Sequence, residues 1–257
     1  MNFWPEPYRA AVSLTFDDGL RSQLELALPI LERHGLHATF YLNPVGAEES
    51  AGLGDSWMER LTPWQAVQAR GHEMGNHTVL HPCSLNIQAD WLAGKNLRDW
   101  TLERLQADVL EAQRRLRAAF PAQHETSFAY PCYEDAVGHG ENRVCYTPFI
   151  ARHFAAARHK GELRGELAND PLACDRHHLS SWPVERRDAA FMIGLVEQAA
   201  WLGRWAVFTM HGIQEGHLPV GEGDLAELAE YLARREDIWV APVAEIGAHL
   251  RDRKGEI

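Results

Sequence analysis

The sequence predicts an α/β fold: a parallel sheet of seven or eight strands wound with helices, for which a closed or nearly closed barrel fits the strand count best. Three observations carry this. Short apolar runs alternate with helical patterns along the whole chain, the signature of repeated strand–helix units. No long linker, repeat or low-complexity tract divides the 257 residues, so residues 1–257 read as a single domain. A unit of that size buries roughly 75% of its unfolded surface. Unusual polar residues stand where apolar runs stop, as expected where parallel strands deliver their C-termini to one functional face.

Residues 11–16 are the first predicted strand, and residues 28–33 the helical stretch behind it, stopped by Gly35. Residues 38–42 form the second strand. Thr62-Pro-Trp-Gln65 reads as a helix start, with Thr62 as cap, Pro63 in first position and Gln65 completing the box; Gly71 ends that helix. Residues 72–75 are the third strand. A longer helix spans about 101–119, where Leu102, Leu105, Val109, Ala112 and Leu116 share one face. Residues 127–130 are the fourth strand, stopped by Pro131. Residues 132–186 give the weakest pattern, with short strands placed near Ala155 and Leu179. Residues 188–202 are helical, and Gly203 precedes the strand 205–210. Asp224 caps another helix with Glu227 in the box position, and 238–241 is the last strand before a C-terminal helix.

Hydrophobic residues make up 46% and charged residues 24%, ordinary globular values that exclude general disorder. The 25 Lys and Arg against 36 Asp and Glu leave a formal net charge of -11. That balance repels phosphate backbones and anionic lipid, and argues against nucleic-acid and membrane partners. No run approaches the ~20 apolar residues that span a bilayer. The first nine residues lack the basic-then-apolar order of a signal peptide. Cys83, Cys132, Cys145 and Cys174 form no CxxC and are sparse for the length, so they are expected reduced and the protein cytoplasmic.

The chemistry lies at the strand ends. Asp17-Asp18-Gly19 follows the first strand, His77 and His81 the third, Pro131-Cys132 the fourth, and His211-Gly212 the strand 205–210. His77 and His81 are four residues apart, which puts them on one side of a helical turn. Two imidazoles and one carboxylate are a standard ligand set for a catalytic zinc-like ion, and Asp18 is the natural third ligand. Gly19 permits a tight turn that aims both carboxylates into one pocket.

Thr15-Phe-Asp-Asp-Gly19, Asn76-His-Thr-Val-Leu-His-Pro82, Phe128-Ala-Tyr-Pro131 and Met210-His-Gly212 resemble, in order, motifs of the polysaccharide deacetylase family, also called NodB-homology or carbohydrate esterase 4. The flanks Ala11-Val-Ser-Leu14 and Gly71-His-Glu-Met-Gly75 are similar to it too, and the resemblance spans about 9–250. It implies a distorted NodB-like (β/α) barrel and metal-dependent hydrolysis of an acetyl amide or ester on a sugar. By motif match, Asp18, His77 and His81 would bind one divalent ion, zinc first, with cobalt, manganese or nickel as alternatives. Asp17 would be general base and His211 general acid. The backbone N–H at Cys132 would hold the oxyanion with the metal, and Tyr130 and Trp182 would line the substrate pocket.

The departures from the pattern are specific. The family's third motif often starts with an Arg that orients the base, where this chain has Ala129; Arg158 and Arg176 are the candidate replacements. Cys132 stands in place of the usual aromatic, and Tyr133 where Gly is common. As a nucleophile Cys132 is disfavoured: nothing nearby marks a thiolate, and it reads as a small buried filler. The fourth motif is met loosely by Asp175, a candidate orienter of His211, and by Trp182 as an apolar wall for the acetyl methyl. His177 and His178 are adjacent, so on a strand they point to opposite faces and make no ligand pair. Thr209 stands where the family commonly has Leu. His217 reads as a loop residue, while Trp57, Trp64, Trp91 and Trp100 include candidate sugar-stacking platforms. The expected function is removal of acetyl from an N- or O-acetylated sugar or oligosaccharide. The alternative is a hydrolase of a small intracellular cyclic amide or imide on the same scaffold.

Overall fold

A computed structural model describes residues 3–84, 94–159 and 168–255. In chain order the strands are β1 (Ala10–Asp17), β2 (Thr39–Leu42), β3 (Glu73–Asn76), β4 (Phe128–Ala129), β5 (Ala136–Val137), β6 (Val144–Cys145), β7 (Ala157–Arg158), β8 (Trp182–Pro183), β9 (Trp205–Met210), β10 (Gly212–Ile213), β11 (Pro219–Val220) and β12 (Ile238–Val240). The helices are α1 (Leu28–Arg33), α2 (Trp57–Gln68), α3 (Leu102–Ala119), α4 (Thr147–Ile150), α5 (Ala189–Leu202), α6 (Glu222–Ala233) and α7 (Val243–Lys254).

Eight strands form one parallel sheet in the order β7-β4-β3-β2-β1-β9-β8, with β12 also on β1. β12 pairs with the start of β1 and β2 with its end, so they share one edge of that strand. The two ends of the sheet approach through the segment before β8: Leu179 bridges Arg158 in parallel, and Trp182 and Pro183 pair with β9. The predicted α/β barrel is therefore present, closed on that side by a single bridge.

Alternation along the strands sorts the side chains. Val12, Leu14 and Phe16, Phe40 and Leu42, Met74, Phe208 and Met210 face the helices and form the main apolar core. Their neighbours face the barrel interior. Its lower end is plugged by Trp205, Val207, Ala11 and the Val243, Ile246 and Leu250 side of α7. Above the plug lies a buried polar layer. Glu73 accepts from Thr39 Oγ1 at 2.8 Å, from Ser127 N and Oγ at 2.6 and 2.7 Å, and from Ala244 N at 2.9 Å in the first turn of α7. Burial pushes the Glu73 carboxyl up, opposed by these donors. One side chain thus ties β2, β4 and α7 together beneath the mouth.

Three local expectations are corrected. α2 starts at Trp57 rather than Thr62: Ser56 and Glu59 make the capping box, Thr62 Oγ1 bonds back to Met58 O, and Pro63 lies inside the helix. α6 starts at Glu222, and Asp224 accepts instead from the first N–H of α5, at Ala189, docking one helix on the other. The cysteines are not all reduced. Cys83 and Cys132 form a disulfide, while Cys145 and Cys174 are free. No helix among the described residues is long and apolar enough to cross a membrane.

Candidate active site

The C-terminal ends of β1, β3, β4, β7 and β9 meet at one mouth. At the end of β1, Asp17 is still in the strand and buried, whereas Asp18 turns left-handed (φ 73°) and is followed by Gly19 at φ 61°. That reversal sends the two adjacent carboxylates to the same pocket. A Cβ at Gly19 would also meet Leu42 at 3.0 Å, so glycine serves both conformation and packing.

His77 and His81 meet differently from the sequence reading. No helical turn forms after β3. Thr78 and His81 take φ of 63° and 50°, and side chains hold the irregular loop. Asn76 Oδ1 accepts from Thr78 N at 2.9 Å, and Thr78 Oγ1 from His81 N at 3.0 Å. Asn43 donates to the carbonyls of His77, at 2.5 Å, and Thr78, at 3.1 Å. Asp108 of α3 accepts from Val79 N at 3.0 Å and from Leu80 N, and burial pushes its carboxyl up to about 6.

Asp18 Oδ1 lies 3.7 Å from His77 Nε2 and 3.6 Å from His81 Nε2. His77 Nδ1 sits 2.9 Å from Ala129 O, and only a proton on Nδ1 makes that a hydrogen bond, so Nε2 presents its lone pair to the cluster. Burial pulls His77 down to about 4, outweighing Asp17 and Asp18 and keeping the ring neutral. Two imidazoles converging on a carboxylate fit a divalent ion.

Asp17 flanks this cluster. Its Oδ2 is 3.9 Å from His77 Nε2 and 3.8 Å from His211 Nε2. Arg158 Nη2 binds that oxygen at 2.5 Å, and Arg158 Nη1 donates to Thr209 Oγ1 at 2.5 Å. Burial opposes the Asp17 charge, but Arg158, His77 and His211 outweigh it and hold the carboxyl below its usual range. Asp17 Oδ1 is buried with no hydrogen-bond partner among the described residues. Arg158 is the Cα partner of Ala129 across the β4–β7 pair. The candidate cation for the vacated motif position therefore stands one strand over. Arg176, the other candidate, instead donates Nε to Ala155 O at 3.2 Å.

The carboxylate on His211 is Glu185, whose Oε1 is 3.0 Å from Nδ1. Asp175 was the expected partner, but it is exposed and accepts from His177 N at 2.8 Å. Glu185 follows β8, which lies three residues beyond the strand expected near Leu179, so the strand-end argument that singles out the other residues stops short of it. Burial opposes a charge on His211, but Glu185, Asp17 and Asp18 outweigh it and raise its pKa. Gln23 Nε2 donates to the carbonyls of both Asp17 (2.5 Å) and His211 (3.1 Å), joining the two strand ends.

Two expected pocket residues lie elsewhere. Trp182 is buried in the main core, with its ring 5.9 Å from Phe208. Tyr130 is buried in a second apolar cluster, and its hydroxyl bonds Thr147 Oγ1 at 3.1 Å and His177 O at 2.9 Å. Both follow from strand alternation, which turns them outward. Cys132 is placed at the mouth by two consecutive left-handed residues, itself at φ 51° and Tyr133 at φ 60°. The N–H groups of Tyr133 and Glu134 close the turn onto Tyr130 O and Pro131 O, bonds that leave out the N–H of Cys132. Trp64 and Trp100 are core residues, Trp57 is half-buried, and Trp91 lies outside the described residues.

A parallel (β/α) barrel whose strand ends gather two imidazoles and a carboxylate is of the NodB-like class. The family model for polysaccharide deacetylase matches residues 6–136, and the chain belongs to that family. The chain is similar in fold to a Mycobacterium smegmatis protein described as a polysaccharide deacetylase, at 17% identity and TM-score 0.61, covering 98% of this chain and 93% of that one. It is also similar to the peptidoglycan deacetylase PdaC of Bacillus subtilis (16%, TM-score 0.53, 98% and 96%). A third similar structure is the carbohydrate esterase 4 domain of a xylanase from the hindgut metagenome of Trinervitermes trinervoides (18%, TM-score 0.52, 96% and 91%). No curated protein sequence gives a significant match.

Proposed function

We propose that this protein removes an acetyl group from an N- or O-acetylated sugar or oligosaccharide with the help of one divalent ion, zinc first, at Asp18, His77 and His81. One observation carries the reading: Asp17 and His211 both flank the ligand cluster, yet neither belongs to it, and each has a dedicated buried or half-buried partner. A purely structural metal site has no use for them.

An ion bound there supplies Lewis-acid polarisation of the acyl oxygen and acidifies the attacking water. Asp17, held ionised by Arg158, accepts a proton at Oδ1, the oxygen with no hydrogen-bond partner among the described residues. Glu185 fixes the proton of His211 on Nδ1 and favours the imidazolium, which then donates from Nε2 to the departing amine or alkoxide. The Cys132 N–H is the oxyanion donor, and losing one such donor typically lowers kcat by ~10²–10³.

The test is acetate release from a panel of acetylated sugars, with and without chelator. Acetate should appear only with metal, and Asp17→Asn should bind metal normally yet turn nothing over. Metal-loaded protein that releases no acetate would sink the reading, and ring opening of a small imide would establish the alternative. The disulfide removes one of the two grounds for expecting a cytoplasmic location, the reduced cysteines, since such bonds persist chiefly in oxidising compartments.

A further inference from the structure

A second set of donors converges beyond the turn that carries Cys132. His159 follows Arg158 at the end of β7, His178 precedes the Leu179 bridge, and Asp135 precedes β5. The His159 and His178 rings stack with centroids 3.9 Å apart and planes inclined by 22°. Each ring, and Asp135, offers one ligand atom, and all three atoms lie within 4.8 Å of one another. His178 Nε2 is 3.6 Å from Asp135 Oδ2, too long for a hydrogen bond. It is the same separation as between Asp18 and His81, and the one that two ligands each ~2.1 Å from a common ion adopt at a near-tetrahedral angle. Arg143, exposed, meets only the other oxygen, Oδ1, at 3.4 Å. Free Cys145 donates its S–H weakly to Oδ2 at 3.8 Å.

We infer that Asp135, His159 and His178 form a second site for a divalent transition-metal ion. Two imidazoles and a carboxylate favour zinc or a similar ion over calcium or magnesium. His177 and His178 do point apart, with His177 Nε2 on Phe154 O at 2.9 Å, but His178 finds its partner imidazole in His159, just after β7. The three residues line a cavity of about 780 Å³ together with Arg98, Tyr133 and His139. None of Asp17, Asp18, His77, His81 or His211 lines that cavity. The inference does not rest on the acetyl-transfer reading.

Zinc titration of metal-stripped protein, with the bound zinc per chain counted by elemental mass spectrometry, tests it. The wild type should hold two ions, and His178→Ala and Asp135→Ala one each. That remaining ion reports that the variants fold, and His81→Ala should keep the other. If the wild type holds one ion that His81→Ala loses while His178→Ala and Asp135→Ala keep it, the second site is overturned. Two ions that survive both substitutions overturn it equally. One ion lost in His178→Ala and retained in His81→Ala supports this site and refutes the Asp18 cluster instead.

Discussion

Replacing Arg158 by Met removes a buried charge without emptying its volume, and the consequences follow from what Arg158 touches. Its guanidinium is fully buried, 2.5 Å from Asp17 Oδ2, and lies over the Tyr41 ring at 5.1 Å. Deleting one member of a buried ion pair costs roughly 3–5 kcal/mol, because the remaining carboxylate stays desolvated. Against a total stability of about 5–15 kcal/mol this is a large fraction. For a chain of this size it lowers Tm by roughly 6–20 °C. The sign with pH is fixed by the direction of the Asp17 shift. Its carboxyl is held below the usual range, so the pair's contribution is present at neutral pH and fades as pH falls through that lowered value. In Arg158→Met, burial is left unopposed by the guanidinium, so the acid limb of kcat/KM moves to higher pH. Urea unfolding at pH 7 and the pH–rate profile are the assays. Adding Asp17→Asn should make the double variant less unstable than the sum of the singles by more than about 1 kcal/mol, as neither charge is then orphaned. An Arg158→Met protein within 1 kcal/mol of wild type and with an unmoved acid limb would refute the reasoning.

As the proposed general acid, His211 must be protonated, and its pKa is raised, so activity should be lost as pH rises through that value; Glu185→Gln should move this alkaline limb to lower pH. The accompanying loss in kcat should be smaller than the ~10²–10⁴-fold that loss of the acid itself would bring. Replacing Cys83 and Cys132 together by Ala opens a loop of sequence separation 49, and urea unfolding should show a loss of up to about 4 kcal/mol. Acetate release should fall as well, since the bond ties the loop beyond His81 to the turn presenting the Cys132 N–H. Asp108→Ala strands the N–H groups of Val79 and Leu80, at about 1–3 kcal/mol each. Zinc affinity, read by chelator competition, should fall roughly 10–100-fold as the His77–His81 loop loosens.

The sequence was legible where function is written as residue type at a strand end. Asp17, Asp18, His77, His81 and His211 all converge as their positions after apolar runs imply. It was less legible where geometry comes from loops. The His77–His81 approach depends on left-handed Thr78 and His81, a conformation that no spacing argument supplies. Residues 132–186 hid the most. Their strands are two residues long, too short to show a period, yet they deliver Arg158, and Glu185 follows close behind. The disulfide was missed because its two cysteines are 49 residues apart and only the folded mouth brings them together.

The departures at Ala129 and Thr209 are parts of one rearrangement. A buried carboxylate at Asp17 requires a cation at a place in space, not at a place in sequence. Ala129 and Arg158 are Cα partners on adjacent strands, so a guanidinium rising from either can reach the same oxygen, and the small Ala129 leaves room for it. Thr209, in place of the common Leu, gives the displaced guanidinium an oxygen acceptor that an aliphatic side chain lacks. Its own hydroxyl donates to Ser181 at 2.9 Å, and Ser181 Oγ donates to His159 O at 2.5 Å, so the chain of bonds returns to the residue beside Arg158. This makes the exchange testable by moving the charge back. Arg158→Ala alone should lose roughly 3–5 kcal/mol in urea unfolding, whereas Ala129→Arg combined with Arg158→Ala should recover more than half of that and restore the acid limb of kcat/KM. If the double variant is no more stable than Arg158→Ala, the two strands do not offer equivalent stations for the cation, and Arg158 is tied to its position by more than the charge of Asp17.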